Sequence, residues 1–140
     1  MKFLTEPMQE MAAFEEAKKL LEKAKVNIGF SGLSDSSKLH IAYALTGNFS
    51  NKLLITYSDL RAREIYEEYH FYDRKTCVYP AKDLIFYQAD IHGNELTKER
   101  VKTLRKIVEG RPVTVVTTFD SLMTPQVPLS VWKAHILKIQ

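Results

Sequence analysis

A single cysteine, Cys77, stands among 140 residues, which excludes an internal disulfide framework and fits a reducing compartment. No apolar run approaches the roughly 20 residues that cross a bilayer as a helix. The N-terminal MKFLTEPMQEM is interrupted by Glu6, Pro7, Gln9 and Glu10 before a signal-peptide core can form. Charge of one sign is scarce as well: 20 Lys and Arg face 17 Asp and Glu, and a formal +3 is too slight to imply nucleic acid or an anionic membrane as partner. Internal repeats and low-complexity tracts are absent, and 45% hydrophobic with 26% charged residues excludes a disordered or fibrous class. The expectation is a cytoplasmic, soluble domain with no membrane partner, burying roughly two thirds of the surface its unfolded chain exposes.

What is present alternates between helical and extended periodicity, the pattern of an α/β domain with a mainly parallel sheet flanked by helices in three layers. Met8 to Lys25 places Met11, Phe14, Ala17, Leu21 and Ala24 on one helical face, with Pro7 tolerated at its start. Val26 to Ser31 reads as a buried strand, followed by a helix from about Ser36 that Gly47 would close in the left-handed conformation. KLLITYS (52–58) is a second strand, and Ser58 is placed to cap a helix that buries Ala62, Ile65, Tyr66 and Tyr69. A short strand at Thr76 to Tyr79 ends at Pro80, and the stretch to His92 reads as loop with at most one helical turn. From a cap at Asn94 a helix runs to Glu109 and stops before Gly110 and Pro112, and VTVVTTF (113–119) is the strongest strand by β-branched content. MTPQVPLS has the composition of a linker, and VWKAHILKIQ reads as a strand entering something else, so the chain looks cut at a domain boundary.

The stretch GLSDSSKL (32–39) occupies the place of a phosphate-binding loop, G-x-x-x-x-G-K-[ST]. Gly32 and Lys38 fit that pattern. Ser37 replaces the second glycine, whose freedom lets backbone N–H groups turn toward phosphates, and Leu39 replaces the hydroxyl that holds Mg²⁺. Asp35 adds a negative charge inside the cradle, where two like charges about 4 Å apart repel by about 4 kcal/mol at an effective dielectric of about 20. The loop therefore reads as a degenerate, RecA-like P-loop with no nucleotide or other cofactor and no catalytic residue. Anion capture by the backbone N–H groups at the helix N-terminus survives these substitutions as an alternative.

Other patterns point less far. GFSGL resembles a nucleophile elbow at Gly29 and Ser31, but Leu33 stands where its second glycine belongs and no acid and histidine follow to complete a triad. His40, His70, His92 and His135 lie too far apart, with Cys77 alone among them, to form a metal-ligand spacing. Lys98, Lys102, Arg105 and Lys106 share one side of their helix and could touch a nucleic-acid backbone. A solvated face opposite Leu96, Val101, Leu104 and Val108 is the plainer account.

Four segments in order carry a resemblance: GLSDSSKLHIAYAL, KLLITYSDLRAREIYEEY, CVYPAKDLIFYQADIHGNELTKERVKTLRKIVEG and VTVVTTFDSLMTPQVPLSVW. Together they resemble the N-terminal, UvrB-homology region of the bacterial transcription-repair coupling factor (Mfd) family, from about residue 28 to the end. YPAKD (79–83) is similar to that family's stretch after the third strand. The ELTKERVKTLRKI helix resembles a helix of that family, and the VVTTFDSLM run with its proline-containing linker and Trp132 is similar to the segment that closes the first subdomain.

The resemblance implies a fold like the first domain of UvrB, with residues 1–124 as the α/β subdomain and 125–140 as a linker and the first strand of a truncated UvrA-binding module. UvrB has an intact phosphate loop and a tyrosine-rich DNA-engaging hairpin. Here the loop is degenerate, and the interval from Pro80 to Asn94 is too short for the hairpin. The full-length family member is implied to be an ATP- and Mg-dependent, superfamily-two DNA translocase that displaces stalled RNA polymerase and recruits UvrA, through modules outside this chain. This chain is then a non-enzymatic scaffold whose partners are the remaining domains of its parent. Two other classes stay open on the residues alone: an active P-loop NTPase half-domain using Lys38, and a DNA-binding module using the 98–106 basic face.

Overall fold

The computed structural model describes residues 5–23, 25–81 and 90–135. Three parallel strands, β1 (Asn51–Thr56), β2 (Thr76–Tyr79) and β3 (Val113–Thr118), form one sheet in the order β1-β3-β2. Leu53 sits beside Val115 and Cys77 beside Val115 from the other side, so β3 is central. Its six residues are all valine or threonine and all buried, as a central strand covered on both faces requires.

Helix α4 (Asp59–Tyr72) packs on all three strands, and α5 (Asp90–Val108) packs on β2 and β3. The register assigns the faces. Cys77, Tyr79, Val113 and Val115 form one buried cluster with Leu104 of α5 against it. Leu53 and Ile55 of β1 lie on that same face, beyond the reach of α5, and are exposed. A small parallel sheet flanked by helices gives the expected α/β class.

A second, separate core lies away from the sheet. Helices α1 (Glu6–Gln9), α2 (Ala12–Lys23) and α3 (Asp35–Leu45) gather Phe14, Ala17 and Leu45, with Met8, Leu21, Ile28 and Ile41 packed around them. Aromatic rings join this unit to α4: Tyr43 stacks on Tyr72 at 5.3 Å and meets Tyr69 edge-on at 6.1 Å.

Local chemistry explains most boundaries. Ser58 caps α4, its Oγ accepting from Arg61 N at 3.2 Å. Gly110, with φ 69°, closes α5: its N–H donates to Ile107 O and that of Arg111 to Lys106 O, the paired bonds of a Schellman turn. Short helices α6 (Phe119–Met123), capped by Thr118, and α7 (Leu129–His135) follow β3.

Five expectations need correction. Val26 to Ser31 is irregular and mostly exposed, not a buried strand; Ile28 packs into the α2–α3 core instead of joining a ladder. The first helix is broken in two around Glu10 and Met11, and Met11 is exposed, while Ala24 lies outside the described residues. Gly47 does not take a left-handed conformation; Thr46 closes α3, its N–H and hydroxyl both donating to Ala42 O. Helix α5 begins at Asp90, so Asn94 lies inside it and is not its cap. Leu129 to His135 is helical where the linker and a strand were expected, because Pro128 O accepts from Val131 N and Trp132 N to start a turn. The remainder of that expected strand, and most of the interval after Pro80, fall outside the described residues.

Candidate functional site

The loop before α3 is built from Gly32 to Leu39. Gly32 has φ 74° with open space where a Cβ would stand, so the backbone turn alone calls for glycine. Ser34 caps α3: its Oγ accepts from Ser37 N at 3.3 Å and lies 2.7 Å from Ser37 Oγ. The serine in the second-glycine position thus serves a helix cap, and a first-turn N–H is already taken.

Lys38 Nζ donates to Asp35 Oδ1 at 3.0 Å, and Arg61 from α4 lies 3.4 Å from Asp35 Oδ2. The hydrogen bond from Lys38, then the charges of Lys38 and Arg61, hold the Asp35 carboxyl below its usual range. Arg61 also donates to Glu64 Oε2 at 2.8 Å, so both nearby cations already have carboxylate partners at the place where phosphate would sit. Leu39 is buried, so its side chain is a packing residue and supplies no metal-facing oxygen. The segment leading into the loop is irregular rather than a strand, and Ser31 is exposed.

The basic run on α5 does not act as one face. Lys98, Lys102 and Arg105 are exposed, but Arg105 Nε donates to Glu109 Oε1 at 2.7 Å, and the other oxygen of Glu109 accepts from Arg111. Lys106 is half-buried and its Nζ donates to Cys77 Sγ at 2.8 Å. Lys102 and Lys106 line a groove of about 240 Å³ between α4 and α5 beside β2, together with Arg63, His70, Arg74 and Glu99. Composition and spacing did not reveal this groove, because its cations come from two helices and the turn between α4 and β2.

A third polar centre also escaped the sequence reading. Arg100 is buried; it donates to Pro80 O and, at 2.6 Å, to Tyr79 Oη, with its guanidinium 4.1 Å from the Tyr79 ring centre. Burial raises the Tyr79 pKa, and the Arg100 charge and hydrogen bond oppose it. Arg100 so ties the YPAKD segment to the ELTKERVKTLRKI helix, two of the segments that carry the resemblance. Thr103 of the same helix donates to Val78 O at 3.0 Å and covers a carbonyl of β2.

Among the histidines, His40 stacks on Tyr72 and His70 leans on Tyr66. The side chains of His92 and His135 lie outside the described residues. Among the described residues no three His, Cys, Asp or Glu side chains gather as a metal site, and no helix is long and apolar enough to cross a membrane.

These features define an α/β domain with a small parallel sheet flanked by helices and an internally paired loop before α3. Across 114 residues the chain is 27% identical to the transcription-repair-coupling factor of Bacillus subtilis (strain 168). That similarity takes in 79% of this chain and 10% of that protein. No family model and no solved structure matches the chain.

Proposed function

We propose that this chain is the N-terminal, UvrB-like subdomain of a transcription-repair coupling factor and serves there as a non-catalytic, cytoplasmic scaffold. The similarity over 79% of the chain carries the reading. The order of the four segments and the Arg100 link between two of them support it. Because the similarity spans 10% of the relative, ATP hydrolysis, DNA translocation and RNA polymerase displacement belong in this reading to modules beyond the chain.

The loop supports the non-catalytic part. With Lys38 and Arg61 engaged by Asp35, Ser37 used as part of a cap and Leu39 in the core, neither a cradle nor a metal ligand is offered to a nucleotide. The domain's task is to position a following UvrA-binding module, begun within residues 125–140, and to pack against the parent's other domains until polymerase engagement releases them.

Deleting residues 1–125 from the full-length parent is the test. UvrA recruitment should fall and the basal ATPase rate should rise, measured by pull-down and a coupled phosphate-release assay. If neither changes, the scaffold reading is wrong.

A further inference from the structure

The groove beside β2 has a chemistry that the scaffold reading does not use. Four cationic side chains, Arg63, Arg74, Lys102 and Lys106, converge on it against one carboxylate, Glu99. The compensation available to them is poor. Arg63 reaches Glu99 only at 3.7 Å, and Lys106 spends its ammonium on the Sγ of Cys77, a weak acceptor. Among the described residues Arg74 and Lys102 have neither an ion pair nor a hydrogen bond. The buried Nδ1 of His70 also lacks a partner at the same wall.

Like charges gathered in a concave, partly desolvated space repel one another more strongly than on an open surface, and an anion seated among them relieves that repulsion. We propose that this groove binds a small phosphate-bearing anion, with Arg74, Lys102 and Lys106 as its principal donors. Its shape decides the size of the ligand. At about 240 Å³, walled by two helices and an edge strand and open to solvent on its outer side, it is of a size to seat a phosphate, a diphosphate or the phosphate tail of a nucleotide. The site is separate from the loop at Gly32 to Leu39 and stands whether or not the scaffold reading holds.

Titration of the isolated chain with diphosphate at low ionic strength, followed by calorimetry and by amide NMR shifts, tests the assignment. Saturable binding is expected, with shifts at residues 74–78 and 99–106. Lys102→Gln, an exposed change with no structural partner, should weaken it about tenfold, the loss of one charge-assisted hydrogen bond. Lys102→Gln with Lys106→Gln should weaken it further, whereas Lys98→Gln and Lys38→Gln should leave it within about twofold. Inorganic phosphate and ATP as competitors then separate a bare anion from a nucleotide as the preferred source. Absence of saturation, equal losses from Lys98→Gln, shifts confined to residues 32–39, or displacement of diphosphate by short duplex DNA would each overturn the proposal.

Discussion

Asp73→Ala is expected to lower the unfolding free energy by about 3 kcal/mol, the usual scale for breaking one side of a largely buried ion pair. Asp73 follows α4 directly. Its Oδ2 accepts from Lys52 Nζ at 3.0 Å and from Thr114 Oγ1 at 2.7 Å, while its Oδ1 accepts from Lys75 N at 3.0 Å. One carboxylate thus ties β1, β3 and the turn into β2 together. The side chains of Lys52 and Asp73 are only 11% and 13% exposed, so alanine would leave an ammonium with little water to replace its partner.

The pH dependence has a definite sign. Burial pushes the Asp73 carboxyl up, but the hydrogen bonds from Thr114, Lys52 and Lys75 outweigh it and hold the pKa below 3.8. A carboxylate with a depressed folded-state pKa contributes stability above its unfolded value and loses it as pH falls through the folded one. The gap between wild type and Asp73→Ala in urea denaturation should therefore be full near neutral pH and narrow only below about pH 4. A neutral-pH gap under about 1 kcal/mol, the scale of an exposed pair, would show that the bridge is effectively solvated.

Tyr69→Ala is expected to cost about 4 kcal/mol, the scale of truncating a large buried aromatic. Tyr69 has no exposed surface, and Tyr43 and Tyr72 approach its ring edge-on at 6.1 and 6.4 Å. With Tyr72 it joins α4 to α3, and as the fully buried member of that pair its loss opens a cavity where the second core joins the sheet. Its hydroxyl is 3.4 Å from Thr46 Oγ1, a long contact, and burial raises its pKa. Tyr69→Phe should accordingly cost no more than about 1 kcal/mol. Guanidinium denaturation of the two variants checks both figures, and a Tyr69→Ala cost below that of Tyr69→Phe would refute this packing argument.

Where local chemistry decides the structure, the chain was readable. The β-branched run at 113–118 and the Ser58 cap follow from side-chain shape and a single hydroxyl, and both lie within a residue or so of expectation. Val26 to Ser31 alternates apolar and small residues like a strand, yet a strand also needs a neighbour to pair with, and Ile28 finds its burial against helices instead. The start of α7 depends on backbone bonds to Pro128 O that composition does not announce.

The site divides in the same way. The losses at Ser37 and Leu39 were visible as missing chemical groups. Arg61 reaching across from α4 to Asp35 was not, because helix packing alone brings them together. The groove was invisible for the same reason: Arg63 and Arg74 meet Lys102 and Lys106 only after α4 and α5 settle beside β2. Helical spacing had grouped Lys106 with solvent-facing neighbours, whereas its ammonium turns inward to Cys77.

Isothermal titration of the chain with Mg-ATP, repeated on Lys38→Ala, reaches the centre of this account most directly. The paired loop predicts no Lys38-dependent heat; any weak binding should be identical in the two proteins and about tenfold weaker in Lys102→Gln. Micromolar affinity that requires magnesium and disappears in Lys38→Ala would contradict it.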